Sequence, residues 1–182
     1  MAPNRLKGNR NTIRRLTFSA ILTALTTVFL YIGGFLELLD ISMAALCGLL
    51  MQIAVIENTR GWTWSIYVGS CILALTLMPF NFAGWSYLFL YGFYPIVKNL
   101  IEGRIFSKPV RFVLKQAVCL IGGGSMYLIL RFLLAAEGET WPVMILIGAL
   151  YLLSFWIYDF LLGRLSVLYV IRLQPRFNLR LK

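Results

Sequence analysis

The chain has 182 residues, of which 60% are hydrophobic and only 13% charged, with a formal net charge of +10. A soluble domain carries about 25% charged residues, so this composition excludes an ordinary cytoplasmic globular domain and a disordered scaffold and points to a single-domain integral membrane protein. The chain contains no histidine, which removes His-based acid/base catalysis and His-ligated metals.

A membrane-crossing helix needs about 20 mostly apolar residues. The first predicted span runs from Thr17 to Leu36 and follows a basic segment, residues 1–16. The second runs from Leu38 to Ile56 with Asp40 near its start, and the third from Trp62 to Phe80. The fourth, Phe82 to Ile101, contains Pro95, which removes a helix hydrogen bond and predicts a kink. Its Lys98 and Glu102 are four apart and are expected to pair on one face, with Glu57 close enough to pair with Lys98 or Arg60. The fifth span, Phe112 to Ala136, holds Gly122-Gly123-Gly124, read as close helix packing, and Arg131 near its far end. The sixth runs from Trp141 to Leu162 with Asp159 near its end, and a basic tail, residues 164–182, follows. Cys47, Cys71 and Cys119 each sit alone in an apolar run and read as core residues.

The expected fold is therefore all-α, a bundle of six antiparallel transmembrane helices over residues 17–163. Every Lys and Arg except Arg131 falls on one side of that arrangement. By the positive-inside bias that side is cytoplasmic, so both termini are expected inside, in the plasma membrane. The basic tails then lie against anionic lipid head groups, and nucleic acid is not an expected partner. Trp62 and Trp64 mark the inner interface, Trp85 and Trp141 the outer one.

Two sets of residues stand out. In the first span, Ala20 and Ala24 are spaced A-x-x-x-A, with Ser19, Thr23 and Thr27 forming a parallel row. Inside lipid, small residues let helix backbones approach closely. The row serves packing within this bundle or docking of another subunit. The second set lies at the outer ends: Tyr31, Glu37, Asp40, Asn81, Trp85, Tyr87, Arg131, Glu137 and Trp141. Aromatic walls with a few polar groups are what a small-molecule site requires, although the same residues also fit an interfacial belt. Arg131, alone on that side, is placed to meet Asp40, Glu37 or an anionic ligand, or else to snorkel toward head groups.

The basic N-terminus leading into RRLTFSAILTALTTVFLY, with Ala20-x-x-x-Ala24 and six spans in this length, resembles the substrate-binding S component of energy-coupling factor (ECF) vitamin transporters. The resemblance implies that the alanine face docks on a shared transmembrane coupling subunit driven by two ATPases. It also implies that the S component topples in the membrane, carrying its ligand inward. The chain has no G-x-x-x-x-G-K-S/T phosphate-binding loop, so uphill movement would draw its energy from partners or an ion gradient. No cofactor is expected. The competing reading is a non-transporting interaction protein, similar in architecture to the small rod-shape-determining membrane subunit of the cell-wall elongation machinery. An intramembrane enzyme is not expected, because no catalytic set is visible.

Overall fold

The structure is a computed structural model that describes residues 3–36, 39–58, 60–105, 107–132 and 141–173; for residues 3–11, 60, 130, 132, 141, 144 and 173 it describes the backbone alone. Every regular element among them is helical. In chain order these are α1 (Pro3–Phe35), α2 (Asp40–Glu57), α3 (Arg60–Leu77), α4 (Phe82–Ser86), a π turn (Tyr87–Tyr91), α5 (Phe93–Arg104), α6 (Lys108–Phe132), α7 (Trp141–Leu168) and a second π turn (Tyr169–Leu173). Side-chain bonds fix the relative directions. Cys47 of α2 and Asn58, which caps its C-terminus, meet Thr26 and Ser19 of α1 in opposite chain order, so the two helices are antiparallel. Gln116 and Cys119 of α6 meet Trp156 and Tyr151 of α7 in the same antiparallel sense.

Four helical stretches are long and apolar enough to cross a membrane: Thr12–Phe35, Asp40–Glu57, Lys108–Ile129 and Ile145–Arg172. Gly61–Leu77 is apolar but shorter. The predicted fourth span is divided between α4, the π turn and α5. Helices also run past the predicted span ends. Helix α1 begins at Pro3, inside the basic segment, and α7 continues beyond residue 163. Hydropathy marks where lipid can lie, whereas Lys and Arg are good helix formers and let the coil continue into water.

The core is built on α2. Ala44, Cys47, Met51 and Ala54 of this helix are almost fully buried against α1, α3, α4, α5 and α7. The three cysteines are free and buried, as expected of small core residues. Burial falls away toward the chain's end. The membrane-length stretch of α2 is 44% buried, against 11% for α6 and 17% for α7. Leu120, Ile121, Leu146, Ile157 and Phe160 face outward. A protein that is apolar both inside and outside suits lipid as its solvent.

The irregular fourth rod shows how the backbone is satisfied. In the π turn Gly92 donates to Tyr87, five residues back, at 2.8 Å. Pro95 has no N–H, so the carbonyl of Tyr91, four residues earlier, loses its helical donor. The Tyr158 hydroxyl of α7 donates to that carbonyl at 2.8 Å. The Tyr67 hydroxyl of α3 donates likewise to the Leu88 carbonyl at 2.7 Å. The two hydroxyls replace the helix donors that these carbonyls lack, so the tyrosines are what allow the break. Gly48 makes room for the first bond: a Cβ there would lie 1.9 Å from the Tyr158 oxygen and 2.5 Å from the Tyr91 carbonyl oxygen.

Candidate functional site

The small-residue set of α1 is split by the fold. Ser19 and Thr27 are buried and Thr23 half-buried, all turned toward the bundle. Asn58 donates to the Ser19 hydroxyl at 3.2 Å, and Thr23 lies against Gly69 of α3. Thr23 and Thr27 each donate to the carbonyl four residues back, which satisfies their hydroxyls without water. Ala20 and Ala24 are exposed, in an outward face shared with Ile13, Leu16, Ile21, Leu25 and Val28. The serine and threonine row packs this bundle, while the alanine row is left uncovered within it.

At the α2 N-terminal end, Asn81 organises the turn. Its side-chain oxygen accepts from the Ala83 N–H at 2.7 Å and caps α4. Its amide donates to the Leu30 carbonyl at 3.2 Å, and the carboxamide lies directly over Gly34, which has no side chain to obstruct it. Trp85 donates to the Pro79 carbonyl at 2.8 Å and stacks on Phe89. Tyr31 and Asn81 line a shallow surface cleft with Thr27, Leu30, Ala74, Leu77 and Met78, too narrow to enclose a ligand. Small-molecule pockets usually span about 300–1,000 Å³. The other predicted ligand residues lie elsewhere. Tyr87 is fully buried, its hydroxyl 3.1 Å from that of Ser70, so it is a core residue. Arg131 is exposed and donates to the Tyr127 hydroxyl of its own helix at 3.0 Å. Asp40 is half-buried at the start of α2. Glu37 and Glu137 lie outside the described residues, as does the side chain of Trp141.

The strongest polar constellation lies nearer the opposite end. Lys98 is buried, and its Nζ is 2.7 Å from both Asp159 Oδ1 and the Asp159 carbonyl oxygen. Tyr94 donates to Asp159 Oδ1 at 2.5 Å. Lys115 reaches Asp159 Oδ2 at 3.2 Å and Glu102 Oε1 at 2.7 Å. The expected pairing of Lys98 with Glu102 or Glu57 is therefore replaced. Asp159 takes Lys98, and Lys115 takes Glu102. The helix spacing that brings Lys98 near Glu102 is real, but a buried ammonium needs a partner that also supplies further acceptors, and Asp159 offers two. Two cations and two carboxylates compensate each other, which makes this group a clamp joining α5, α6 and α7. Sequence reasoning placed Asp159 only near a span end. An aspartate in so apolar a helix is itself a signal of a partnered site.

Beside the clamp, Gln52 donates to Ser166 of α7 at 2.7 Å. Glu57 is buried at the end of α2, beside the Tyr169 hydroxyl of the second π turn. Its predicted alternative partner Arg60 has no described side chain. Among the described residues no three Cys, Asp or Glu side chains gather as metal ligands.

No family model, curated protein or solved structure matches this chain.

Proposed function

We propose that this protein is the membrane-embedded binding subunit of an importer of the ECF type, taking a vitamin or other small metabolite. On this reading it crosses the plasma membrane six times with both termini in the cytoplasm, and its outer end meets the ligand. It has no catalytic step of its own, and it docks on a membrane coupling subunit served by an ATPase pair.

One observation carries the reading. Ala20 and Ala24 are exposed although Ser19 and Thr27, one residue to the side or three beyond, are buried. A small-residue row used for internal packing would face α2 or α3. This row faces out, where close approach by a foreign helix is possible. The test is Ala20→Leu with Ala24→Leu, in full-length tagged protein purified from its host. Both sites are uncovered, so the bundle should remain folded and monodisperse. Co-purification of a coupling subunit and two ATPases should be lost. Unchanged recovery would remove the docking claim.

A second reading has one observation in its favour. The cleft at Tyr31 and Asn81 is too shallow to enclose a vitamin, and Tyr87 is sealed in the core. That favours a scaffold of the rod-shape-determining kind, which needs a docking face but no ligand cavity. Mass spectrometry of the same preparation separates the two. A bound metabolite with ATPases supports the importer, whereas cell-wall synthesis proteins without a metabolite support the scaffold.

A further inference from the structure

Helices α6 and α7 carry matching stripes on their outward faces, beside the clamp. Phe112 of α6 packs edge to face on Trp156 of α7, with ring centroids 6.3 Å apart. The Trp156 indole N–H donates to Gln116 at 3.2 Å, which fixes the ring. One turn beyond Trp156 lies Phe160, and one turn beyond that Arg164, whose guanidinium is 5.3 Å from the centre of the Phe160 ring. On α6, Lys108 precedes Phe112 by one turn. The helices are antiparallel, so both stripes end in a cation toward the same end of the pair, Lys108 on α6 and Arg164 on α7. Between those cations and Trp156 the seam carries Phe112 and Phe160.

The rings face outward: Phe112 and Trp156 are each 56% exposed and Phe160 62%. The neighbouring carboxylates are already engaged, Asp159 by Lys98 and Lys115, and Glu102 by Lys115. Among the described residues Arg164 forms no ion pair.

We propose that this seam binds an anionic phospholipid. The phosphate lies between Lys108 and Arg164, and an acyl chain runs along Phe160, Phe112 and Trp156. The charge pattern chooses the occupant. A free phosphate would use the two cations and leave three exposed rings without a partner. An amphiphile with a phosphate at one end of a hydrocarbon chain matches both halves in the observed order, on helices apolar enough to lie in a bilayer. A guanidinium held over a ring is also partly oriented before the phosphate arrives. The site stands independently of the transport reading.

The experiment uses the full-length chain in nanodiscs and a photoactivatable phosphatidylglycerol. Crosslinks should map to residues 108–116 and 156–164. Excess phosphatidylglycerol should compete, while phosphatidylcholine and inorganic phosphate should not. Lys108→Gln with Arg164→Gln removes two charges near the head group and should lower phosphatidylglycerol affinity about thirtyfold. Lys108→Arg keeps the charge and should leave affinity close to that of the native chain. Crosslinks elsewhere, equal affinity in the double variant, an equal loss in Lys108→Arg, or displacement by inorganic phosphate would each overturn the proposal. If the double variant does not fold, the crosslink positions on the native chain decide.

Discussion

Helices α1 to α5 and the α6–α7 pair are both apolar, yet they are held by different forces. In the first region α2 is enclosed, glycines admit close contact, and the hydroxyls of Tyr67 and, from α7, Tyr158 take up the carbonyls that the π turn and Pro95 release. In the second, most of each helix faces outward, and the attachment to the rest is a narrow strip: Phe155, Tyr158 and Leu162 of α7 in the core, and the polar bonds around Asp159. Lipid is as apolar as leucine, so a helix gains little by burying apolar surface there. Where intimate packing is missing, an ionic clamp can supply the attachment. The second region should therefore depend on single side chains more than the first does.

The sharpest way to break this contrast is Asp159→Asn. It leaves the Lys98 ammonium buried beside a neutral amide, and Lys115 with Glu102 alone. Breaking a fully buried pair costs about 3–5 kcal/mol. Asp159 is 27% exposed, so about 2–3 kcal/mol is expected, read as a lower midpoint in detergent-induced unfolding. Adding Lys98→Met should restore most of the loss, because removing both charges removes the uncompensated one. Hydrogen exchange should rise in α6 and α7 first. A uniform rise across α1 to α5 would mean that the two regions unfold as one.

Gly48→Ala tests the packed region from the other side. Its new Cβ would meet the Tyr91 carbonyl and the Tyr158 hydroxyl, and a backbone atom cannot swing away. About 2 kcal/mol of destabilisation is expected in the same assay. A loss below about 0.5 kcal/mol would show that α2 and α7 separate easily, so that the first region is looser than the contacts imply.

Tyr158→Phe should cost less, about 1 kcal/mol, by leaving the Tyr91 carbonyl without its donor. In a Pro95→Ala background the backbone N–H returns, and the same change should cost close to nothing. A double-mutant cycle therefore measures the coupling directly. Additive costs would show that the hydroxyl does not stand in for the missing helix bond.

Much of this architecture is readable from the chain, and the unreadable parts share a cause. Apolar runs locate the helices, because span length and hydropathy are local properties. Gly122-Gly123-Gly124 predicts close packing, and Gly122 and Gly123 do lie against α7, with Gly122 also meeting the Phe89 carbonyl. Pro95 announces an orphaned carbonyl, but nothing local names Tyr158, 67 residues from Tyr91, as the donor. Lys98 looked to Glu102 because four-residue spacing is visible, whereas Asp159 is 61 residues away. Tyr87 was placed at the ligand end by its position in the span, but helix rotation decides which way a ring points, and here the π turn sets it inward. On α1 the two rows were legible as rows. Which one would be covered depended on neighbours that the sequence does not align.

The smallest effect probes the α6–α7 seam itself. Gly123 and Gly124 are adjacent on α6, but a Cβ at Gly123 would come within 2.8 Å of the Tyr151 ring, while one at Gly124 would meet nothing within 4 Å. Gly124→Ala should therefore change the unfolding midpoint by less than about 0.5 kcal/mol, apart from a slight gain in helix propensity. Gly123→Ala must push Tyr151 aside, and the Tyr151 hydroxyl is bonded to the Cys119 carbonyl at 2.9 Å. A ring can shift where a backbone cannot, so the loss should be about 1 kcal/mol, smaller than at Gly48. If both glycines tolerate alanine equally, α6 and α7 are joined by the clamp alone and the small residues between them carry no packing. If both resist, the seam is as tight as the α2 core, and the outward exposure of these helices reflects only that lipid or a partner covers their far sides.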